Sequence, residues 1–301
     1  MNKINLKELK VVFVGCARDC EPSIQKSLDN FRLYSSLFKE SYQIIVENGS
    51  KDRTREILKN NQTKNDYYLF EDHLNELPIR GLRLEKARNI IIDKIKTISK
   101  LNECDLFVVM DLDVSGNYQI NQEHILKSIE FLFSKEKIGA VFANQLGTYY
   151  DMWTLRDDEY CQNDFWAETL QNIVKKIGPK DNISIDILTE VKKNFIDKKT
   201  YSFDKNLSPL KVHSAFGGFG IYKMKYVQSN KKKYEGTQNI DLIFKDNTKK
   251  RIKFQRCEHV NFNFGLKEQN LELYILPYLI NREYLDVTFP PQAAIKLIIK
   301  D

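Results

Sequence analysis

Apolar residues in the first third of the chain fall into short runs, separated by segments with a helical repeat. Val11-Val12-Phe13-Val14, Tyr42-Gln43-Ile44-Ile45-Val46, 67–70 and Leu106-Phe107-Val108-Val109-Met110 are β-branched or aromatic and read as strands. Between them, Ile24, Leu28, Phe31 and Leu37 mark a helix over 23–38, and 54–58 begins another with Asp52 as its cap. Ala87, Ile90, Ile91 and Ile95 share one side of a third helix over 83–96. Strand alternating with helix predicts an α/β fold, with a mostly parallel central sheet flanked by helices. Such sheets bind ligands beyond the carboxyl ends of their strands.

After residue 116 the pattern loosens. Residues 120–133 predict a helix, Ala140-Val141-Phe142-Ala143 a buried strand, 173–195 helix in parts, and 251–260 an alternating strand. Residues 197–206 are the expected flexible loop. No repeat or low-complexity tract interrupts the chain, so we expect one continuous unit over 1–301.

Composition narrows the class. A hydrophobic content of 42% with 12% aromatic residues supports an ordered globule with a sizeable core. The net charge of +6 in a Lys-rich chain suits an anionic ligand such as a nucleotide, or loose attachment to an anionic membrane surface. It does not favour nucleic acid, and the run Lys231-Lys232-Lys233 reads as a solvated loop. Five cysteines with no C-x-x-C pair read as reduced thiols, hence a cytoplasmic setting. The N-terminal apolar run is too short for a signal peptide, and no stretch reaches the ~20 apolar residues of a membrane span. The expectation is a cytoplasmic protein, at most peripheral at a membrane.

Three strand ends carry polar groups of the right kind for a ligand site. The fourth strand stops at Asp111-Leu112-Asp113, and residues at i and i+2 on extended backbone point to one side. Two carboxylates aimed together disfavour each other unless a cation lies between them. A hard divalent ion, Mg²⁺ or Mn²⁺, is the simplest such partner; an Asp-rich turn is the bland alternative. The second strand ends in Glu47-Asn48-Gly49-Ser50-Lys51-Asp52-Arg53-Thr54. Here Glu47 and Asn48 can hydrogen-bond a base or ribose, and Asp52 can accept a hydrogen bond or cap the helix; a well-made β-to-α turn explains the same residues. The first strand ends in Gly15-Cys16-Ala17-Arg18-Asp19.

Taken together these segments resemble the nucleotide-sugar half of GT-A glycosyltransferases, whose strands end in D/E-x-G-S-x-D-x-T and D-x-D. Arg83-Leu84-Glu85-Lys86-Ala87-Arg88-Asn89 is similar to the R-x-x-x-A-R-N stretch before D-x-D. Tyr149-Tyr150-Asp151-Met152-Trp153-Thr154-Leu155-Arg156-Asp157 resembles a segment of the fungal capsule-type α-1,3-mannosyltransferases, glycosyltransferase family 69, and their bacterial relatives. The likeness runs from about Val11 to Val260. It implies a nucleotide-sugar-binding half over 1–116 and an acceptor-binding half over 117–301.

The resemblance also implies roles. Asp111, Asp113 and the late His259 would hold Mn²⁺ or Mg²⁺, with Asp113 the chief ligand and Asp111 partly on the nucleotide side. Ala17, Arg18, Glu47, Asn48, Ser50, Asp52, Arg88 and Leu112 would line the nucleotide. Arg83 is second to Arg88 as the diphosphate's arginine. Gly217 and Gly218, in Ser214-Ala215-Phe216-Gly217-Gly218-Phe219-Gly220, would lie under the donor sugar. Asp151, Arg156 and Asp157 are the candidate catalytic residues, with Asp158 a further carboxylate. An aromatic corner with a salt bridge is the structural alternative for this last group.

The implied activity is metal-dependent transfer of a hexose from GDP-mannose or a UDP-sugar to a glycan, lipid-linked or protein acceptor, with retention. Two rivals share some features. A sugar-phosphate nucleotidyltransferase also pairs carboxylates at a strand end, but Gly15-Cys16-Ala17-Arg18 has one glycine where that class has a Gly-rich loop. A non-catalytic carbohydrate-binding module needs no intact aspartate pair.

Overall fold

The computed structural model describes residues 4–113, 118–284 and 287–299. The change of pattern at residue 116 lies outside them. In chain order the strands are β1 (Lys10–Ala17), β2 (Glu40–Glu47), β3 (Asp66–Phe70), β4 (Leu106–Met110), β5 (Ile138–Gly147), β6 (Leu210–Val212), β7 (Phe219–Lys223), β8 (Thr237–Ile243), β9 (Lys249–Gln255) and β10 (Glu272–Tyr284). Eight of them form one sheet in the order β3-β2-β1-β4-β7-β5-β10-β6, and β8 and β9 pair apart from it. β1 runs parallel to β2 and β4, β2 to β3, and β5 to β10. β7 is inserted antiparallel between β4 and β5, so strands from both ends of the chain share the sheet. The class is α/β, with a mostly parallel central sheet flanked by helices.

Both faces of the sheet are covered, which is why the strand runs are apolar without alternation. Val12, Val14, Ile44, Val46, Phe107 and Val109 pack on one side with Ala87, Ile91 and Ile95 of the helix Arg80–Thr97 (α3 in chain order). Val11, Phe13, Ile45, Leu106 and Val108 pack on the other with Ile24, Leu28 and Phe31 of α1 (Glu21–Ser35). Ile125, Ile129 and Leu132 of α5 (Gln122–Ser134) join that second layer. α2 (Thr54–Asn61) and the short α4 (Ser99–Asn102) complete the first third. β1 continues past Gly15 because its ladder with β2 runs on to Ala17 and Glu47. A Cβ at Gly15 would lie 2.7 Å from the Leu112 side chain, so this strand needs glycine there.

Two expectations of the later chain fail for physical reasons. The predicted strand over 251–260 stops at Gln255, and Glu258–Lys267 is a helix, α9, following α6 (Phe165–Val174), α7 (Ile185–Val191) and α8 (Met224–Gln228). α9 is buried on most sides, through Glu258, His259, Val260, Phe262, Asn263 and Leu266, so it carries no amphipathic stripe to read. The expected loop over 197–206 is pinned to the core. Tyr149 N donates to Tyr201 O at 2.8 Å, Asn144 Nδ2 donates to Phe203 O at 2.7 Å, and Tyr160 meets both rings.

Asp164 fastens the corner before α6. Its Oδ1 accepts from Trp166 N and Ala167 N at 3.1 and 3.0 Å, and its Oδ2 pairs with buried Arg156 at 2.7 Å. Removing the carboxylate leaves a buried cation unpaired. Asp164→Ala should lower the unfolding free energy by about 3–5 kcal/mol, read from urea denaturation. A loss under about 1 kcal/mol would show that the pair does not hold this corner.

Candidate functional site

The carboxyl ends of β1 and β4 meet at a charged cleft. After Met110 the chain turns so that Leu112 is buried, with its carbonyl accepting from Ser23 Oγ (2.9 Å) and Ser27 Oγ (3.2 Å) of α1. Leu112 therefore points inward and anchors the turn, while Asp111 and Asp113 line the cleft on either side of it. Asp111 N donates to Gly218 O at 3.0 Å, which ties this turn to the glycine segment before β7. Burial and the charge of Asp113 push the Asp111 carboxyl up to about 7, against the opposing pull of Arg88 and Arg80.

Arg88, on α3, is only 4% exposed. Its Nε donates to Glu258 Oε1 at 2.6 Å, and its Nη2 lies 3.6 Å from Asp111 Oδ1. The guanidinium carbon stands 5.4 Å from the Phe216 ring centre and 5.9 Å from that of Tyr234. Nη1 is buried with no hydrogen-bond partner among the described residues.

Two cavities meet at this group. One, of about 380 Å³, runs over the ends of β1 and β2 and is lined by Cys16, Ala17, Arg18, Asn48, Arg80 and Arg83 among others. The other, of about 300 Å³, is lined by Tyr150, Asp151, Trp153, Phe216, Glu258, His259 and Arg282 among others. Arg80, Leu84, Arg88, Asp111 and Asp113 belong to both. A wider groove of about 630 Å³ between α3 and the segment of Lys233 and Tyr234 touches neither aspartate.

Of the glycine segment Phe216 lines the second lobe, while Gly217 and Gly218 line neither lobe and sit behind Asp111 and Tyr150. Gly217 and Gly218 have φ of 64° and 84°, which L side chains rarely adopt. A Cβ on Gly218 would come within 2.9 Å of Asn281 Nδ2 and of Tyr150 OH. Gly217 N donates to Asp151 Oδ2 at 2.9 Å, and Gly217 O accepts from Gln145 Nε2 at 2.9 Å and Asn281 Nδ2 at 2.5 Å. Asp151 Oδ1 accepts from Thr154 Oγ1 at 2.7 Å. Burial raises the Asp151 carboxyl to about 6, although these hydrogen bonds oppose it.

The remaining predicted residues divide by place. Asn48 lines the first lobe, but Glu47, Ser50 and Asp52 lace the turns together. Glu47, fully buried, accepts from Ser50 N at 2.5 Å and pairs with Arg55 at 2.6 Å. Ser50 Oγ accepts from Asp19 N at 2.9 Å, and Asp52 accepts from Glu21 N at 2.9 Å and from Thr54 N at 3.0 Å. Arg156 is held by Asp164 and by the carbonyls of Leu155 (2.6 Å) and Trp153 (3.1 Å), outside both lobes. Asp157 Oδ1 accepts from Glu159 N (2.7 Å) and Tyr160 N (2.5 Å), and the residue lines a separate cavity of about 260 Å³ with His213. Asp158, at its mouth, meets His213 Nε2 at 2.8 Å.

His259 lines the second lobe from α9. Its ring stacks on Phe216 at 4.0 Å, Nε2 lies 3.7 Å from Glu258 Oε1, neither nitrogen has a hydrogen-bond partner among the described residues, and burial beside Arg88 keeps the imidazole neutral. Among the described residues no three His, Cys, Asp or Glu side chains converge as a metal cage, so Asp111, Asp113 and His259 are not a preassembled set. Two hard carboxylates that raise each other's affinity for a cation do fit Mg²⁺ or Mn²⁺ as a half-site completed by phosphate oxygens. Glu258, Arg80 and Asn281 were not singled out in the sequence. Arg80, Leu84 and Arg88 share one helix face at a spacing of four, which is the signal that finds Arg80.

No protein-family model matches the chain and no curated protein matches it. Among solved structures it is similar to TarS 1–349 of S. aureus, at 14% identity over 89% of this chain and 58% of that one, with a TM-score of 0.45. It is similar also to the mannosyltransferase PcManGT from Pyrobaculum calidifontis in complex with GDP-Man and Mn²⁺, at 11% identity over 75% and 48%, with a TM-score of 0.39. A third is glucosyl-3-phosphoglycerate synthase from Mycobacterium tuberculosis with Mn²⁺ and UDP-glucose, at 14% identity over 94% and 71%, with a TM-score of 0.39. The chain thus spans about half the length of the first two. At this level of similarity they say nothing about the residues of this chain.

The elevated Asp111 carboxyl has a measurable sign. Its folded value, about 7, lies above the ordinary 3.8, so the folded state binds the extra proton between those limits. Without divalent cations, the Asp111 contribution should make stability fall as pH rises from about 4 to 7 and level off above. Asp111→Asn should remove that part of the slope, as read by thermal unfolding against pH. An unchanged slope in the variant would mean that Asp111 titrates normally.

Proposed function

We propose that the protein is a metal-dependent glycosyltransferase acting on a nucleotide sugar. What carries the reading is one arrangement: Arg80 and Arg88 stand with Asp111 and Asp113 where two cavities join, and Arg18 and Arg83 line the first of those cavities beside them. Cations alone suit an anion, and paired carboxylates alone suit a metal ion. Both together suit a metal–diphosphate unit.

In this reading the first lobe takes the nucleoside, with Asn48 and the β1 end at its base and ribose. Arg18, Arg80, Arg83 and Arg88 face the diphosphate and stabilise the charge that grows as the sugar leaves. Asp111 and Asp113 hold Mn²⁺ or Mg²⁺, which when bound supplies Lewis-acid neutralisation of the same oxygens. Among the described residues His259 does not converge with them as a metal cage, and we assign it to the wall of the second lobe. There the donor sugar and the acceptor meet against Phe216 and Trp153, with Gly217 and Gly218 behind. Trp153 Nε1 and Arg88 Nη1 are buried donors with no partner among the described residues, suited to hydroxyl oxygens.

Asp151 is the carboxylate placed to face an acceptor. Both its oxygens already accept hydrogen bonds, from Gly217 N and Thr154 Oγ1, which favours positioning over proton abstraction. That supports the retaining course, which needs no such base. Arg156 and Asp157 act behind the site, fastening the segment that carries Asp151 and Trp153. GDP-mannose and UDP-sugars are the donors to compare, and glycan, lipid-linked and protein acceptors remain the classes to try.

A thermal-shift panel of GDP- and UDP-sugars with and without Mn²⁺ should single out one nucleotide family whose stabilisation requires the metal. That donor should then be hydrolysed slowly with Mn²⁺, and Asp113→Ala should reduce the rate by about 10²–10³-fold at unchanged fold. Pyrophosphate released from a nucleoside triphosphate and a sugar phosphate would establish a nucleotidyltransferase instead. Glycan binding with neither turnover nor a metal effect would establish a binding module.

A further inference from the structure

The ribbon of β8 and β9 stands apart from the central sheet and has two unlike faces. The strands pair along their whole length, from Thr237 opposite Gln255 to Ile243 opposite Lys249. One face turns Leu242, Phe254 and, just beyond β8, Phe244 into the core. The other presents Asn239, Asp241 and Ile243 beside Lys253, Arg251 and Lys249, all exposed. Three cations therefore stand at i, i+2 and i+4 on one strand, about 7 Å apart.

Little within the fold balances them. Arg251 approaches Asp241 only to 3.9 Å, and among the described residues Lys245, Lys249, Lys250 and Lys253 make no ion pair. The loop run Lys231-Lys232-Lys233 differs in this respect, since Lys232 is paired with Glu268 at 2.5 Å. Residues 237–255 hold five Lys or Arg against two Asp, so half of the net charge of +6 sits in nineteen residues. A row of like charges left unbalanced on a rigid ribbon favours an anionic surface over water alone.

We propose that this outer face docks the protein on the acidic headgroups of a phospholipid bilayer. Lys249, Arg251 and Lys253 supply the attraction, with Lys245 in the turn at the ribbon's tip. Ile243, an exposed apolar side chain in the midst of these cations, enters the headgroup boundary. The face has no aromatic ring on which a base could stack, which argues against single-stranded nucleic acid.

The ribbon's base adjoins the cleft. Gln255 Oε1 accepts from Gly81 N at 3.2 Å, next to Arg80, and the chain continues from β9 into Cys257, Glu258 and His259 of the second lobe. Docking would hold that lobe near a membrane surface, a consequence that matters for a lipid-linked acceptor only if the transferase reading holds. The docking itself does not depend on that reading.

Co-sedimentation of the full chain with vesicles tests it without an activity assay. Phosphatidylcholine vesicles containing about one-third phosphatidylglycerol should bind the protein at ~50 mM salt and release it at ~500 mM, and pure phosphatidylcholine should not bind it. The combined variant Lys249→Glu, Arg251→Glu, Lys253→Glu should bind at least about 100-fold more weakly, with an unchanged thermal midpoint. A control variant, Lys231→Glu with Lys233→Glu, should bind as the parent does. Equal binding to neutral vesicles, or undiminished binding of the ribbon variant, would overturn the proposal. So would loss of binding in the control variant alone, or capture by a single-stranded polynucleotide or acidic polypeptide with no vesicle binding. Should the ribbon variant not fold, the salt and lipid dependence of the parent still decides between these outcomes.

Discussion

The buried guanidinium of Arg88 is the constraint around which the cleft is arranged. A cation that is 4% exposed is tolerable only with close anions, and the fold brings two from distant parts of the chain. Glu258 arrives on α9 and Asp111 at the end of β4, at 2.6 and 3.6 Å. The rings of Phe216 and Tyr234 complete the enclosure. Removing either carboxylate would strand the cation, so α3, α9 and the β4 turn are bound into one unit before any ligand is considered. Because Arg88 lies nearer to Glu258, it compensates Asp111 only in part. Burial and the charge of Asp113 outweigh the nearby arginines, so the Asp111 carboxyl stays high.

β7 performs the corresponding task from the other side. Its antiparallel insertion between β4 and β5 brings Gly217 and Gly218 against Asp151 and Asp111. Their carbonyls are then used twice, Gly218 by Asp111 N and Gly217 by Gln145 and Asn281. The turn bearing the aspartates and the segment bearing Asp151 thus hang on one two-residue bend with positive φ. A side chain at Gly218 would displace Tyr150 and Asn281 together. The second lobe is formed by residues far apart in sequence because this strand, and not a domain linker, connects them.

The early strands and helices were legible because each has one exposed and one buried aspect, or is short and wholly apolar. β4 lies where the apolar run predicts it, Leu106 to Met110. The later chain is less legible where elements are buried all round, as α9 shows. Motif reading also failed to separate ligand groups from lacing groups. Glu47, Ser50 and Asp52 carry the right chemistry for a nucleotide, yet the folded chain spends it on backbone amides of two adjoining turns. Gly49 belongs to the same lacing, since a Cβ there would overlap Asn75. Arg156 was drawn toward catalysis by its neighbours in sequence, and its bond to Asp164 places it behind the wall. Glu258 was passed over for His259 because a carboxylate that serves a buried arginine leaves no local signature. The partner is 170 residues away.

The charge pattern of the cleft is unbalanced in two opposite ways at once, and that is what narrows the ligand. Toward β1 and β2 the lining is rich in arginine, so it disfavours a bare metal ion. At the β4 turn Asp111 and Asp113 repel each other, so it disfavours a bare anion. A nucleoside diphosphate without a metal would answer the first and aggravate the second; a metal ion without phosphates would do the reverse. Burial and the charge of Asp113 together favour the protonated form of Asp111, which partly relieves the turn. In the proposed reading Asp111 and Asp113 would hold the metal ion, which would supply positive charge to the carboxylates, and Arg18, Arg80 and Arg83 would face the diphosphate. Among the described residues no third His, Cys, Asp or Glu side chain converges with the two aspartates, and the neutral ring of His259 lines the second lobe against Phe216.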